Sequence, residues 1–256
     1  MKVRWQRWVG GLSVAVFACV AYAYLTLPDV RSLTTVNPSS TAFMELRTRE
    51  ARATGKTPKR DQRWVASRRI SPLLTRAVLV AEDAAFYQHD GVDYDELSKS
   101  IELDWSKGQL TRGASTITQQ LAKNLYLSPS RNPLRKFREL LIARRLEAEL
   151  SKARILEIYL NVIEFGDGIY GVEAASQTYF HRAAAQLDTT QAALLAGSII
   201  NPRLLNPAKP TPRLLRRQQL ILGRMGQSAP RGGLNDAEPA AESTFEAPAE
   251  AAGVPK

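Results

Sequence analysis

The sequence predicts an all-α domain behind a single N-terminal transmembrane helix. Residues 9–27 form an uncharged and largely apolar run, close to the roughly 20 residues that a helix needs to cross a bilayer. From Ser71 onward, apolar residues recur at helical spacing in successive segments, which Gly, Pro and Asn separate. No run of alternating apolar and polar residues predicts a strand.

The apolar run is predicted to anchor the chain in one orientation. Residues 1–8 contain Lys2, Arg4 and Arg7, and basic residues beside a spanning helix stay in the cytoplasm. We therefore expect residues 1–8 to be cytoplasmic, residues 9–27 to span the membrane, and the remainder to lie outside the cytoplasm.

Two alternatives remain open for this segment. The tripeptide Ala21-Tyr22-Ala23 resembles the cleavage site of a signal peptide, although the run exceeds the roughly 7 to 15 apolar residues of such a signal. A lipid attached at Cys19 is the second alternative, although Phe17 stands where lipoprotein signals prefer a small residue.

The segments on either side of the predicted domain are polar. Residues 28–58, rich in Thr and Arg, are expected to form a connector with one short helix at 42–52. Residues 227–256 are rich in Ala, Pro, Glu and Gly and have few large apolar side chains, so burial cannot offset the entropy of ordering them. A globular domain at residues 59–226 and a disordered tail at 227–256 are therefore predicted.

The domain itself is predicted to consist of helices joined by short turns. The first helix opens at Ser71 and Pro72, a capping serine and a first-turn proline, and its apolar run ends near Glu82. Further helices are predicted at residues 93–105, 116–124, 133–150, 152–162, 171–180, 189–200 and 212–225.

Charge and cysteine content restrict the chemistry. The formal net charge of +10 predicts an anionic partner: a nucleic acid, a membrane surface or a phosphorylated substrate. The single cysteine, Cys19, lies in the apolar run, which excludes a disulfide within the chain and a thiolate metal cluster.

The first candidate site segment is EDAAFYQHDG, residues 82–91. Glu82 follows an apolar helix and precedes Phe86, so partial desolvation would raise its pKa toward the range of a general acid or base. Asp83 would help to polarise the site, and His89 could position the turn by a hydrogen bond. The alternative is a solvated helix C-terminus, which the helix dipole disfavours for acidic residues.

The second segment is GASTITQQLAKN, residues 113–124, which places hydroxyls, amides and an ammonium in one short stretch. These groups suit sugar hydroxyls and amides together with a phosphate, while the alternative is a polar, capped surface helix. Its polar members are Ser115, Thr116, Thr118, Gln119, Gln120, Lys123 and Asn124.

The third segment is RKFRE, residues 135–139, on a predicted helix. Arg135 and Glu139 are four residues apart and share a face, Lys136 lies on a neighbouring row, and Arg131 is one turn earlier. Spacing alone favours a surface ion pair worth about 0.3 kcal/mol.

Together the three segments resemble the peptidoglycan glycosyltransferases of family 51, whose patterns are EDxxFxxHxG, G-A/G-STITQQ-x-x-KN and RKxxE. The stretches ILEIYLNVIEFG, residues 155–166, and GIYGVEAASQTYF, residues 168–180, extend the match. The resemblance implies a lysozyme-like, two-lobed helical glycosyltransferase domain that polymerises the lipid-linked disaccharide lipid II into glycan strands of the bacterial cell wall.

The resemblance also implies roles for single residues. Glu82 would deprotonate the acceptor 4-hydroxyl, and Glu139 would be the second catalytic glutamate, orienting cations or holding a divalent ion. Mg2+ or Mn2+ is an optional cofactor, and no other is expected. The cations of the pyrophosphate site would be Lys123, Arg131 and Arg135, with Lys136 close by. Further substrate-binding positions would be Asp83, Phe86, His89, Ser115, Gln119, Gln120 and Asn124.

The implied setting is the bacterial inner membrane, with the catalytic domain in the periplasm. The expected partners are lipid II, the growing glycan strand, the membrane, transpeptidases, and division or elongation proteins, but not nucleic acid. A monofunctional enzyme is expected because no SxxK, SxN and KTG set follows the domain.

Two other functions remain alternatives at this stage. A lysozyme-like hydrolase or lytic transglycosylase would share the catalytic glutamate but would need no cationic pyrophosphate site. A membrane-tethered basic scaffold would bind anionic polymer without catalysis, and Glu82→Gln would then change nothing.

Overall fold

The computed structural model describes residues 20–96, 115–128 and 132–227, together with the isolated positions 11, 14, 17, 18 and 98. Its α-helices are α1 (Ala42–Ala53), α2 (Pro72–Glu82), α3 (Ile117–Tyr126), α4 (Pro133–Glu149), α5 (Lys152–Val162), α6 (Val172–Phe180), α7 (Thr189–Ser198) and α8 (Pro212–Gln227). Its strands are β1 (Asp61–Gln62), β2 (Glu164–Gly166) and β3 (Ile169–Tyr170). The predicted, mostly helical architecture is confirmed, while the lysozyme-like, two-lobed arrangement stays a prediction.

Local capping explains where several helices begin. The Thr116 hydroxyl accepts a hydrogen bond from the Gln119 backbone N–H, and the Ser151 hydroxyl accepts one from Arg154 N–H, each 3.2 Å long. Ser71 occupies the N-cap position of α2, but its hydroxyl donates to the Leu187 carbonyl instead of capping the helix.

A small sheet departs from the expectation of helices alone. β3 lies between β1, to which it is parallel, and β2, to which it is antiparallel. Strands of two or three residues are too short for an alternating pattern to reveal them. Gly171, with φ of 80°, ends the sheet, and an added Cβ would lie 2.6 Å from the Asn161 carbonyl oxygen.

The helices pack around one large apolar core. α2 contacts α7 and α8, whereas α3 contacts α4, α5 and α1. Glu82 therefore ends a helix that packs against α7 and α8. The polar segment of α3 faces Glu82, although α3 packs mainly against α1, α4 and α5.

The predicted connector, residues 28–58, is part of this body. Val30, Leu33 and Met44 are all buried in the core, so the segment packs against the domain instead of only spacing it from the membrane. Three apolar side chains scattered among polar residues gave no periodic signal from which this packing could be predicted.

Some predictions fall wholly or partly outside the described residues. Residues 20–25 of the predicted anchor are helical, and no helix in the described part of the chain is long and apolar enough to cross a membrane. Of the helix predicted at residues 93–105, only 94–96 and 98 are described as helical. The predicted tail beyond residue 227 lies outside the description.

Candidate active site

Glu82 lies at the C-terminal end of α2, where three side chains from other helices converge on it. Its carboxylate is 11% exposed and accepts a hydrogen bond from Gln120 Nε2 at 3.0 Å. Arg217 Nη2 of α8 lies 3.3 Å from the other carboxylate oxygen and also donates to the Gly197 carbonyl through Nε. Lys123 contributes its charge from α3.

These surroundings adjust the basicity of Glu82. Burial raises the pKa of Glu82 above its ordinary value, while the Gln120 hydrogen bond and the charges of Arg217 and Lys123 oppose the rise. The result is a carboxylate that is a stronger proton acceptor than an exposed glutamate, although these partners limit the rise of its pKa.

Asp83 and His89 join the turn after α2 to the start of α3. Asp83 accepts hydrogen bonds from the Ile117 backbone N–H at 2.9 Å and from His89 Nε2 at 3.0 Å. His89 Nδ1 accepts from the Gly91 N–H, and the Thr116 hydroxyl donates to the Gly91 carbonyl. Asp83 thus joins the first two sequence segments. The hydrogen bonds of His89 position the turn between them, as was expected for this residue.

Asp83 and His89, together with Asp93, are possible ligands of a metal ion. Potential ligand atoms of Asp83, His89 and Asp93 lie within 4.8 Å of one another. Both His89 nitrogens are already engaged, and Asp83 is committed to the N-terminus of α3. This donor set suits a hydrogen-bonded turn better than a divalent cation.

Phe86 supports this turn from within the core. It is 1% exposed, and the Lys152 ammonium lies 4.5 Å from its ring centroid. Lys152 also pairs with Glu147, which accepts a hydrogen bond from the Thr118 hydroxyl. Phe86, predicted to contact substrate, is therefore placed where it stabilises the turn carrying Glu82.

Glu139 forms a second, differently constructed carboxylate centre on α4. Its side chain is 4% exposed and accepts hydrogen bonds from Arg135 Nη1 at 2.6 Å and from Lys136 Nζ. Lys136 Nζ also donates to Ser115 Oγ and Gln119 Oε1, each at 3.1 Å. The third sequence segment is thereby tied to the second.

Lys123 lies in the electrostatic field of both carboxylates. Burial lowers the pKa of Lys123, an effect that Lys136 and Arg135 reinforce and that Glu139 and Glu82 oppose. Among the described residues, its ammonium makes no hydrogen bond or ion pair. It is a partly buried cation whose donors are available to an anionic ligand.

The remaining predicted positions divide into two cases. Asn124 Nδ2 donates to the Gln120 carbonyl within α3, so this amide serves the helix. Arg131 lies outside the described residues. The catalytic and binding roles of all these residues stay predictions.

Two residues near Glu82 were absent from the predicted site. Arg217 lies three residues after Leu214 and four before Ile221, both buried on α8, and a charge at such a core position is the signal that could have indicated it. Tyr159 is surrounded in sequence by the apolar residues Leu156, Ile158 and Leu160, a pattern typical of core packing. It is indeed fully buried, but its hydroxyl donates to Gln120 Oε1 at 2.9 Å.

Comparison with known proteins agrees with the motifs. The family model described as Transglycosylase matches residues 49–226, more than half of the chain. The biosynthetic peptidoglycan transglycosylase of Thiobacillus denitrificans is 44% identical over 230 residues, covering 90% of this chain and 99% of that protein. That of Nitrosospira multiformis is 45% identical over 193 residues, covering 75% and 84%. That of Aromatoleum aromaticum is 50% identical over 167 residues, covering 65% and 73%. The resemblance read from the three segments is confirmed, and the chain belongs to the transglycosylase family.

Proposed function

We propose that this protein is a peptidoglycan glycosyltransferase that polymerises lipid II into β-1,4-linked glycan and releases undecaprenyl pyrophosphate. The observation that carries the proposal is that Lys123 lies in the electrostatic field of both Glu82 and Glu139. Its ammonium makes no hydrogen bond or ion pair among the described residues, whereas Glu139 is fixed by two cations. Family membership supplies the substrate class.

The reaction begins with proton removal by Glu82. The 4-hydroxyl of the acceptor N-acetylglucosamine gives its proton to the carboxylate, and the oxygen attacks the anomeric carbon of the lipid-linked donor. The new C–O bond forms as the bond to the pyrophosphate oxygen breaks, and the configuration inverts from α to β. The raised pKa of Glu82 supports this role, because a base works best when its pKa approaches the working pH.

The leaving pyrophosphate carries away the electron pair of the broken bond. Lys123, Arg135 and Lys136 supply fixed positive charge for it, together with Arg131, which lies between Lys123 and Arg135 in the sequence. Fixed charges directed at the group where charge develops are commonly the largest catalytic contribution. Lys123 is the principal contact in this proposal, because no described residue accepts a hydrogen bond from its ammonium.

Glu139 orients two of these cations. Its two oxygens hold Arg135 and Lys136, so the guanidinium and ammonium stay directed toward the pyrophosphate. Each oxygen already accepts a hydrogen bond from a cation, and the steps above use no divalent ion.

Membrane attachment completes the proposal. Residues 9–27 anchor the chain in the inner membrane, and the catalytic domain lies in the periplasm beside its lipid-tethered substrates. Arg138 of α4 donates to Thr26 Oγ1 at 2.7 Å, which supports placing the start of α4 near the membrane. Leu134 and Phe137, on the same part of α4, are exposed and are compatible with contact to a lipid surface. Attachment of the enzyme to the membrane would raise the effective concentration of its lipid-tethered substrates.

The hydrolytic alternative fits the site less well. A lysozyme-like hydrolase needs an acidic group and water, but it has no anionic leaving group that would need three cations beside the glutamate pair. The cluster of Lys123, Arg135 and Lys136 therefore favours transfer from a pyrophosphate donor.

The decisive experiment is incubation of the detergent-purified protein with labelled lipid II, beside Glu82→Gln. We expect the wild type to form polymer that a muramidase digests, and the folded variant to form none. Shortening of preformed strands would indicate the hydrolase instead. Equal behaviour of the two proteins, with binding but no turnover, would indicate the scaffold.

A further inference from the structure

The hydroxyl of Tyr159 belongs to a chain of hydrogen bonds that ends on Glu82. Tyr159 of α5 is 0% exposed, and its Oη donates to Gln120 Oε1 at 2.9 Å. Gln120 Nε2 in turn donates to Glu82 Oε2 at 3.0 Å and lies 3.4 Å from the Ser115 carbonyl oxygen. The Tyr159 hydroxyl, the Glu82 carboxylate and the Ser115 carbonyl therefore all contact the amide group of Gln120.

This amide has a defined direction. A glutamine side chain presents a donor on one side and an acceptor on the other. A donor at Tyr159 selects the orientation in which the amide oxygen faces the tyrosine and the amide nitrogen faces Glu82. The reversed amide would place its oxygen against the carboxylate, an arrangement that Glu82 tolerates only when protonated.

We propose that Tyr159 is a positioning residue for the reaction: its hydroxyl fixes the Gln120 amide with Nε2 directed at Glu82, and so keeps the carboxylate ionised and in place. Tyr159 touches neither substrate nor reacting atoms and acts through Gln120. The inference rests on the proposed function in one respect, that Glu82 is the base.

The tyrosine is suited to this task at every working pH. Burial, together with the charges of Glu82 and Asp83, raises the pKa of Tyr159 well above its ordinary value. Its hydroxyl proton is thus retained, and the tyrosine donates throughout. A side chain that could exchange donor and acceptor roles by titration, such as histidine, would not fix the amide in this way.

Other charges around Glu82 remain constant in the test. Arg217 faces it from α8, Lys123 faces it from α3, and Asp83 is its neighbour in sequence. Helix α7, which packs against α2, contributes no charged residue. A change in the ionisation of Glu82 on removal of the Tyr159 hydroxyl therefore reports on the Gln120 amide.

The test compares the pH dependence of lipid II polymerisation by the wild type, Tyr159→Phe and Tyr170→Phe. Tyr170 is the matched control, since it is 1% exposed and its hydroxyl has no hydrogen-bond partner among the described residues. We expect Tyr159→Phe to shift the acid limb of kcat to higher pH, giving about fivefold lower kcat on that limb and a nearly unchanged plateau and KM. Tyr170→Phe should leave the profile in place.

A double-variant cycle identifies the route of the effect. In a Gln120→Met background, Tyr159→Phe should cause no further shift, because the amide it positions is gone. An equal fall in kcat at all pH values, an unmoved acid limb, or a full additional shift in the Gln120→Met background would overturn the proposal.

A direct titration separates this inference from the proposed function. The carboxyl carbon of Glu82 can be followed by NMR in protein labelled with 13C-glutamate, with Glu82→Gln identifying its signal. A higher titration midpoint in Tyr159→Phe than in the wild type supports the positioning role even if no glycan forms. An identical midpoint contradicts it even if the wild type is fully active.

Discussion

Glu82 and Glu139 are the same kind of side chain in similarly buried places, yet their surroundings differ. Glu82 ends an apolar helix and receives one amide at 3.0 Å and a more distant arginine at 3.3 Å. Glu139 lies in the middle of a basic helix and receives Arg135 at 2.6 Å and Lys136. The first carboxylate therefore accepts from one amide and one arginine, whereas each oxygen of the second accepts from a cation on its own helix. The contacts, and not the residue type, are thus what the two proposed roles, a base and an orienting group, depend on.

Lys123 lies in the field of both carboxylates, so its loss should lower activity more than replacement of Glu139, Arg217 or Thr116. We expect Lys123→Met to lower kcat about 100- to 1,000-fold, because a fixed charge opposite the leaving pyrophosphate is removed. Steady-state kinetics with labelled lipid II would measure this. The exposed Lys209 supplies the control, and Lys209→Met should change kcat less than about twofold. Similar losses in both variants would mean that only overall charge matters.

Exchange of Glu139 should affect both activity and stability. In Glu139→Gln, Arg135 and Lys136 keep their charges but lose the negative charge and one of the two acceptor oxygens that they share, so we expect about 10- to 100-fold lower kcat. The free energy of unfolding should fall by about 2 kcal/mol, because hydrogen bonds to a charged group are lost. Kinetics and denaturant unfolding, run beside Glu82→Gln, would measure the two effects. A greater loss of stability in Glu82→Gln would reverse the comparison.

The arginine beside Glu82 should determine where the acid limb of activity lies. Below the pKa of Glu82 the base is protonated, so kcat falls as the pH drops through that pKa. Arg217 favours the ionised form, and Arg217→Met should therefore raise the pKa further and move the acid limb to higher pH, with about fivefold lower kcat on that limb. A pH profile of kcat checks this, and a shift to lower pH would contradict it.

The smallest effect is expected from loss of the Thr116 cap of α3, the helix that contributes side chains near both Glu82 and Glu139. Thr116→Ala should lower the free energy of unfolding by about 1 kcal/mol and also lower kcat severalfold, since α3 carries Gln120 and Lys123. Ser151→Ala removes only the cap of α5, whereas Thr116→Ala also removes the hydrogen bond to the Gly91 carbonyl. Ser151→Ala should therefore cost less stability and change kcat less. Denaturant unfolding and kinetics of the pair would separate a local effect at the site from general destabilisation.

Much of the helical structure could be predicted because its determinants are local. The helix at residues 152–162 was predicted with the bounds that the structure has, since Ser151 caps it and its apolar residues follow a 3.6-residue period. The small sheet and the packing of residues 28–58 could not be predicted, because two-residue strands and isolated apolar residues carry no periodic signal.

The same division applies to the candidate site. The order of the three motifs determined the family and indicated Glu82, Lys123 and Glu139 as functional candidates, which lie at most 57 residues apart in sequence. The tertiary structure alone brought Arg217 to Glu82 across 135 residues, and Tyr159 to Gln120 across 39. Sequence patterns report on neighbours within a few helical turns, whereas these contacts depend on how α8 and α5 pack, which is decided by the complete core.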